Sequence, residues 1–292
     1  MNRNHVGIIH ILISAFFVSL MGIFIRLIDK EVPPVTQVMI RIVLATFLLF
    51  LFFSLKTIKE RKKDFLKADR KSFWLLAAAG IFGYALMVVF FSYAFLNTTF
   101  GIASTLVQLT PVFTFVFSYL FLRRNVGRHH VISLVVGIAG VVLLFGPSGS
   151  GNLGGNVFAL LSAGLNGMYF VILNYMGNKN SLSTNTLYTF LFASLVLIPF
   201  SFIMERPLAL SISGITWGYL VFMALNNIAA MYFLNSGLRY ISPNRASIVR
   251  LSAVFLGFVY SVVLYHESIA FVEVLGCALI ILSIVVISGK GK

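Results

Sequence analysis

Long apolar stretches fill almost the whole chain, and they restrict the fold more than any other feature of the sequence. A helix needs about 20 apolar residues to cross a bilayer, because it rises only about 1.5 Å per residue. Ten stretches of this kind follow one another: 6–28, 35–55, 73–95, 101–122, 129–146, 153–174, 184–204, 214–237, 243–265 and 269–288. We therefore expect an all-α membrane protein with ten transmembrane helices, and little of the chain remains for a soluble domain.

The composition indicates the same class of protein and excludes others. Of the 292 residues, 59% are hydrophobic and only 10% are charged, whereas a soluble domain has about 25% charged residues. A net charge of +14 suggests nucleic-acid binding only on a soluble fold with a basic face, so we expect no nucleic-acid partner. We also expect no metal and no cofactor, because the single Cys277 cannot form a thiolate cluster and no phosphate-binding or dinucleotide motif occurs.

The basic residues are divided unevenly between the two alternating sets of connecting segments. One set, which includes both termini and the loop 56–71, holds 17 of the 22 cations, and the other set holds only Lys30 and Arg206. The positive-inside rule then predicts a multi-pass protein of the cell (inner) membrane with cytoplasmic N and C termini, surrounded by lipid partners. The remaining three cations lie within predicted spans: Arg26, Arg41 and Arg250.

The two halves of the chain resemble each other. Ser14 and Ala15 align with Ser162 and Ala163 at an offset of 148, and after the basic loop an offset of 143 aligns 90–106 with 233–249. We therefore predict two repeats, 1–147 and 148–292, with five helices each. Because five is odd, the second repeat enters the membrane from the opposite side, an inverted arrangement that many secondary transporters share. A duplication retained only for stability is the alternative.

Four segments then resemble a known family. They are PPVTQVMIRIVLATFLL (33–49), ASTLVQLTPVFTFVFSYLFL (103–122), VVGIAGVVLL (135–144) and LYHESIAFVEVLG (264–276). With them the chain resembles the EamA-type transporters of the drug/metabolite transporter superfamily over nearly its whole length. The resemblance implies ten helices, small-metabolite substrates, and a central cavity lined mainly by the first, third and fourth helices of each half.

Polar residues inside spans are the candidates for substrate contact, because each must be paired, solvated or functional. In the first span His10, Ser14 and Met21 share a face at spacings of four and seven. The sixth span carries Asn166 and Tyr169 on the equivalent helix. Packing through interhelical serine and asparagine hydrogen bonds is the alternative for this pair of faces.

The third and eighth spans give a second pair of candidate faces. Tyr84 aligns with Asn227, and Phe91 and Met231 follow on the same faces. Apolar walls with a few polar groups are typical of ligand pockets, although such a stripe is also typical of ordinary packing. In the fourth span, Gln108 and Pro111 predict a kink that is either a gate or a static bend.

Two arginines lie deepest in the predicted membrane. Arg250 is a candidate for binding a carboxylate or phosphate through its guanidinium group. For Arg41 we expect the side chain to extend to the outer interface, with a role in gating or structure. His10 is the candidate for proton coupling, since no Asp or Glu lies comparably deep.

These patterns predict a secondary transporter, not an enzyme, that moves a small molecule by alternating access through a central cavity. Amino acids and related amphipathic zwitterions or anions are the expected substrates. The alternatives are a drug or organic-anion exporter of the same family, a polytopic membrane enzyme and a membrane scaffold. The sequence leaves the oligomeric state open, and a monomer is possible.

Overall fold

The structure is a computed structural model built entirely from helices over the residues that it describes. Those residues are 3–28, 31–60, 68–98, 103, 106–123, 127–145, 152–177, 179–205, 211–256, 259 and 271–289. The helices are α1 Arg3–Ile28, α2 Pro34–Glu60, α3 Arg70–Ala78, π1 Ala79–Leu86, α4 Met87–Asn97, α5 Thr110–Leu122, α6 Arg128–Phe145, α7 Leu153–Met176, α8 Leu182–Glu205, α9 Gly214–Gly237, α10 Pro243–Val249 and α11 Phe271–Gly289.

Six helical stretches in this described part are long and apolar enough to cross a membrane. They are formed by α1, α2, the continuous α3–π1–α4 helix, α7, α8 and α9. The apolar helices α5, α6 and α11 are shorter, and α10 has only seven residues. The all-helical fold is therefore confirmed over the described residues, with six helices able to cross a membrane, while the ten crossings and the inverted repeat stay predictions.

Three of the predicted spans are not uniform α-helices. The helix of the third span contains a π-helical stretch, Ala79–Leu86, in its middle. The fourth span is interrupted by a turn at 108–109, and the ninth by a turn at 250–251. Discontinuous helices at membrane depth leave backbone groups free of the regular ladder, and transporters commonly place their sites there.

The helices pair in a way that joins the two halves of the chain. The main contacts are α6 with α11, α1 with α9, α4 with α7, and α2 with α8. Gly140 shows how close the first pair lies, since a Cβ on it would be 2.7 Å from the Gly276 carbonyl oxygen. Each of these pairs contains one helix from either half.

Hydrogen bonds between helices recur at the offsets found in the sequence. The Ser14 hydroxyl donates to the Ala230 carbonyl at 2.7 Å, and the Ser162 hydroxyl donates to the Met87 carbonyl at 3.0 Å. Ser162 is 148 residues after Ser14, and Ala230 is 143 residues after Met87, so the two bonds are equivalent.

Two other hydrogen bonds join residues that are equivalent to each other. Thr46 and Ser194, at the offset of 148, share a bond of 2.9 Å between their hydroxyls. Tyr84 and Asn227, at the offset of 143, are joined at 3.2 Å. Contacts between equivalent positions, here between α2 and α8 and between π1 and α9, are what a two-fold relation between the halves predicts.

Candidate functional site

Tyr84 is at the centre of the buried polar residues that the sequence singles out. It lies in π1, it is 6% exposed, and its hydroxyl donates to Asn227 Oδ1. Its ring centroid lies 5.5 Å from that of Phe190 and 6.1 Å from that of Tyr169. Gly83 permits this packing, because a Cβ there would be 2.9 Å from the Tyr169 ring. The structure thus brings the predicted Tyr84, Tyr169 and Asn227 together.

Arg41 points into the protein, and the expectation that it reaches the outer interface is wrong. Its side chain is 6% exposed, and its Nη1 lies 3.8 Å from the Met21 sulfur. Its Nε is buried without a hydrogen-bond partner. The helix direction explains the difference, since α2 packs against α8 and α9 and turns Arg41 inward.

Arg250, from the other half of the chain, lies beside Phe170, which is buried in the same core as Tyr84. It caps the C-terminal end of α10, where the turn at 250–251 interrupts the helix. Its guanidinium carbon lies 5.4 Å from the centroid of the Phe170 ring, a cation–π arrangement. Its Nη1 is buried without a hydrogen-bond partner.

The carboxylates whose side chains the structure describes are used elsewhere. Glu205 accepts hydrogen bonds from the backbone N–H groups of Val35 and Thr36, at 3.0 and 2.7 Å, at the start of α2. Asp69 caps α3 by accepting from the Ser72 N–H. Glu31 accepts from the Ser213 backbone N–H at 3.0 Å. That bond, followed by those of the Thr216 and Ser213 hydroxyls, holds the pKa of the Glu31 carboxyl below its ordinary value.

The other candidates divide between this cluster and helix packing. Met231 is buried in the same core as Tyr84. Ser14 is fully buried and forms the bond to Ala230 described above, so it joins α1 to α9. Asn166 donates to the Thr110 hydroxyl at 3.4 Å and thereby links α7 to α5. Phe91 is half-buried in α4.

Gln108 lies half-buried in the turn that precedes α5. Pro111 falls in the first turn of α5, where a missing N–H breaks no helical hydrogen bond. The fourth span is therefore interrupted before the proline instead of being kinked by it.

His10 lies toward the end of α1 that carries the N terminus. Its Nδ1 is 2.9 Å from the Ser236 hydroxyl, and its ring packs against Phe233 and Tyr240 at centroid distances of 5.7 and 6.0 Å. Gly7 allows α1 to lie close to the segment that follows α9, because a Cβ at Gly7 would be 2.8 Å from the Ile241 side chain. His10 therefore belongs to the contact between α1 and the end of α9, separate from the Tyr84 cluster.

A model of the EamA-like transporter family matches residues 5–146 and again residues 153–289. The chain belongs to the EamA-like transporter family. Its EamA-like relatives include an uncharacterized transporter of Clostridium kluyveri, which is 27% identical over 98% of this chain and 94% of its own. The pseudopaline exporter of Pseudomonas aeruginosa is 24% identical over 87% of this chain and 84% of its own. Human solute carrier family 35 member G1 is 22% identical over 89% of this chain and 73% of its own.

A solved crystal structure also shares the EamA-like fold. It superimposes with a TM-score of 0.79 at 18% sequence identity, over 96% of this chain and 95% of that one. The likeness shows the fold alone. The family match, and not this likeness, places the chain among transporters.

Several buried residues of this EamA-like protein were not predicted from the sequence. Phe170 faces Arg250 and Phe190 faces Tyr84, but phenylalanine inside an apolar span carries no signal of its own. Asn226 and Asn235 donate to the Phe17 carbonyl and the Thr186 hydroxyl at 2.6 and 3.2 Å. Their amide groups in mid-span are the signal that could have found them.

A cleft of about 360 Å³ lies away from this cluster, between α2 and α8. Its walls are apolar, with the Thr46 and Ser194 hydroxyls among the lining residues. None of the predicted substrate-binding residues lines it. Because Phe47 and Phe50 in its wall are more than half exposed, the cleft opens toward the lipid side.

Proposed function

We propose that this protein is a secondary transporter that moves small metabolites by alternating access through a site centred on Tyr84. Arg250 would bind the acidic group of an amino acid or a related amphipathic zwitterion or anion. The observation that carries the proposal is a buried cluster, built from both halves of the chain, in which guanidinium and amide donors have no partner. Such groups stay unsatisfied unless a ligand supplies acceptors.

The repeated hydrogen bonds support alternating access. Two halves that make equivalent contacts offer two equivalent packings, and in inverted repeats these are open to opposite sides of the membrane. We propose the halves 1–147 and 148–292 as those units, in an inner membrane with both termini cytoplasmic.

A substrate panel in proteoliposomes tests the proposal. We expect counterflow of amino acids or organic anions, and Arg250→Gln should reduce uptake of anionic and zwitterionic compounds more than that of neutral ones. Equal loss for all compounds would indicate a structural role for Arg250. Turnover of a compound without flux would identify a membrane enzyme. If the panel shows no flux and no turnover, a scaffold is the remaining alternative.

Facilitated exchange is the mechanism that we propose, because the described carboxylates cap helix ends and are not free to relay protons. Flux should therefore follow the substrate gradient and should not be driven uphill by a pH gradient. If a pH gradient does drive uphill uptake, His10→Ala shows whether His10 carries the proton. Uphill uptake that persists in this variant would rule out both exchange and coupling through His10.

A further inference from the structure

Two lysine ammonium groups lie against the same tyrosine where α3 begins and α7 ends. Lys71, in the first turn of α3, donates to the Tyr175 hydroxyl at 3.0 Å, and its Nζ lies 5.4 Å from the centroid of the Tyr175 ring. Lys179, in the segment after α7, has its Nζ 4.9 Å from the same centroid. All three side chains, here called the lysine–tyrosine cluster, are exposed. The fold thus gathers two cations from separate parts of the chain around one phenol.

The lysine–tyrosine cluster lies at the level where two predicted spans end. Tyr175 directly follows the span 153–174, and Lys71 comes just before the span 73–95. Trp74, one turn after Lys71 on α3, is 64% exposed. Exposed Trp and Tyr side chains are typical of the headgroup level of a membrane, where the ring meets lipid and the polar atom meets water. The positive-inside rule predicts that this level belongs to the cytoplasmic leaflet, which carries the anionic lipids.

The cluster offers hydrogen-bond donors and positive charge to an anion. The Tyr175 hydroxyl accepts from Lys71 and keeps its own proton to donate, and each ammonium group has three N–H donors. The Asp69 carboxylate at the start of α3 accepts from the Ser72 N–H, and a single acid cannot neutralise both lysines and the adjacent Arg70. A phosphate group, with its several acceptor oxygens, satisfies these donors and offsets the repulsion between the two ammonium groups.

We propose that the lysine–tyrosine cluster binds the phosphate of an anionic phospholipid in the cytoplasmic leaflet, with Trp74 beside the glycerol and the upper acyl chain. Basic pockets next to transmembrane helices on the cytoplasmic side bind anionic headgroups. A lipid also gives the exposed Trp74 ring an apolar neighbour, which a soluble phosphate compound does not. None of these residues belongs to the proposed substrate site, so this lipid site goes beyond the proposed function and does not depend on it.

Fluorescence quenching at Trp74 tests the proposal at the site itself. Trp217→Phe leaves Trp74 as the single tryptophan of the chain, and the full-length protein is placed in bilayers that mix a brominated lipid with unbrominated phosphatidylcholine. Quenching against the brominated fraction gives the relative binding constant of each lipid beside Trp74. We expect phosphatidylglycerol to bind about tenfold more strongly than phosphatidylcholine, which corresponds to about 1.4 kcal/mol. Equal quenching by the two lipids overturns the proposal.

Charge-matched variants separate this site from the general attraction of a basic surface. Lys71→Gln combined with Lys179→Gln should abolish the preference for phosphatidylglycerol. Arg123→Gln combined with Arg128→Gln removes the same charge from exposed arginines between α5 and α6 and should leave the preference unchanged. A loss of the same size in both double variants overturns the site. Lys71→Arg combined with Lys179→Arg keeps charge and donors and should retain the preference, and its loss there would also contradict phosphate binding.

Two further measurements examine the hydroxyl and the source of the phosphate. Tyr175→Phe keeps every charge and the ring, and it should reduce the preference about threefold, within the range of one net hydrogen bond. An unchanged preference in this variant overturns the cluster as a phosphate site. Inorganic phosphate in excess, at constant ionic strength, should not relieve the quenching by brominated phosphatidylglycerol. If it does, the cluster binds a soluble phosphate compound and the lipid assignment is wrong.

Discussion

Tyr84 and Asn227 are the residues on which most of the site depends. They occupy equivalent positions of the two halves, yet one is a phenol and the other an amide, so the bond between them has a fixed direction from Tyr84 to Asn227. An interhelical hydrogen bond within a membrane protein contributes about 0.6 kcal/mol on average. Here it also orients the Asn227 NH₂ group, which points to a role in binding as well as in stability.

Tyr84→Phe should lower the stability of the folded protein by about 0.5–1.5 kcal/mol, because Asn227 Oδ1 is left without its donor. The measurement is the melting temperature of the purified protein in detergent. Tyr119→Phe, at a position that is 61% exposed, is the control and should have little effect. A melting temperature that is equal in Tyr84→Phe and the unmodified protein would contradict the bond.

Glu31 gives a prediction about pH. Its pKa in the folded protein is lowered by hydrogen bonds from the Ser213 backbone and from the Thr216 and Ser213 hydroxyls, so the folded state favours the ionised form. The stabilisation is therefore present at neutral pH and is lost as the pH falls below the ordinary value of 4.5. Glu31→Gln should lower the melting temperature more at pH 7 than at pH 3. An equal difference at both pH values would show that the charge plays no part.

At the scale of elements, the helix pairs carry the symmetry of the molecule. Ser14 on α1 and Ser162 on α7 each donate to a carbonyl of the helix that they pack against. Thr46 on α2 and Ser194 on α8, which occupy equivalent positions in the sequence, bond to each other. In the alternating access that we propose, the two halves exchange conformations. A contact between two equivalent residues is then the same contact before and after the exchange, so we propose the α2–α8 contact as the part that stays fixed.

Cysteines at positions 46 and 194 test this role. In a background with Cys277→Ser, Thr46→Cys combined with Ser194→Cys should form a disulfide on oxidation, since the native hydroxyls lie 2.9 Å apart. We expect the cross-linked protein to retain flux. The non-equivalent pair His10→Cys with Ser236→Cys, whose native side chains are also 2.9 Å apart, is the matched comparison and should lose flux when cross-linked. If both cross-linked proteins retain flux, or if both lose it, the α2–α8 contact is not the fixed part of the cycle.

At the scale of the whole molecule, the sequence allowed most of the helices and the composition of the centre to be predicted. Apolar length is sufficient to locate spans, and alignment of the halves pairs Tyr84 with Asn227 from the sequence alone. The π-helical stretch at 79–86 and the turn at 250–251 were not predicted, because they depend on packing against neighbouring helices. The direction of Arg41 was missed for the same reason. Its depth is a property of the sequence, but the neighbour that it meets, Met21, is fixed only by the fold.

The predicted orientation can be tested by labelling from one side. In the Cys277→Ser background, Leu153→Cys, at a position that is 78% exposed beyond the 146–152 segment, should react with an impermeant maleimide in intact cells. Arg123→Cys, exposed at the end of α5, should react only after the membrane is permeabilised. The opposite pattern would reverse the topology.

For the alternating-access transporter that we propose, Arg41 and Arg250, which lie within predicted membrane spans, would also make the transport cycle sensitive to voltage. A site that faces the two sides in turn moves its charge relative to the membrane field, which acts with about 2.3 kcal/mol per elementary charge per 100 mV. The empty site would carry the positive charge of its arginines and would be drawn toward the negative interior, whereas a bound anion would reduce that charge. The resting potential of the cell would then act more strongly on the return of the empty carrier than on the loaded step.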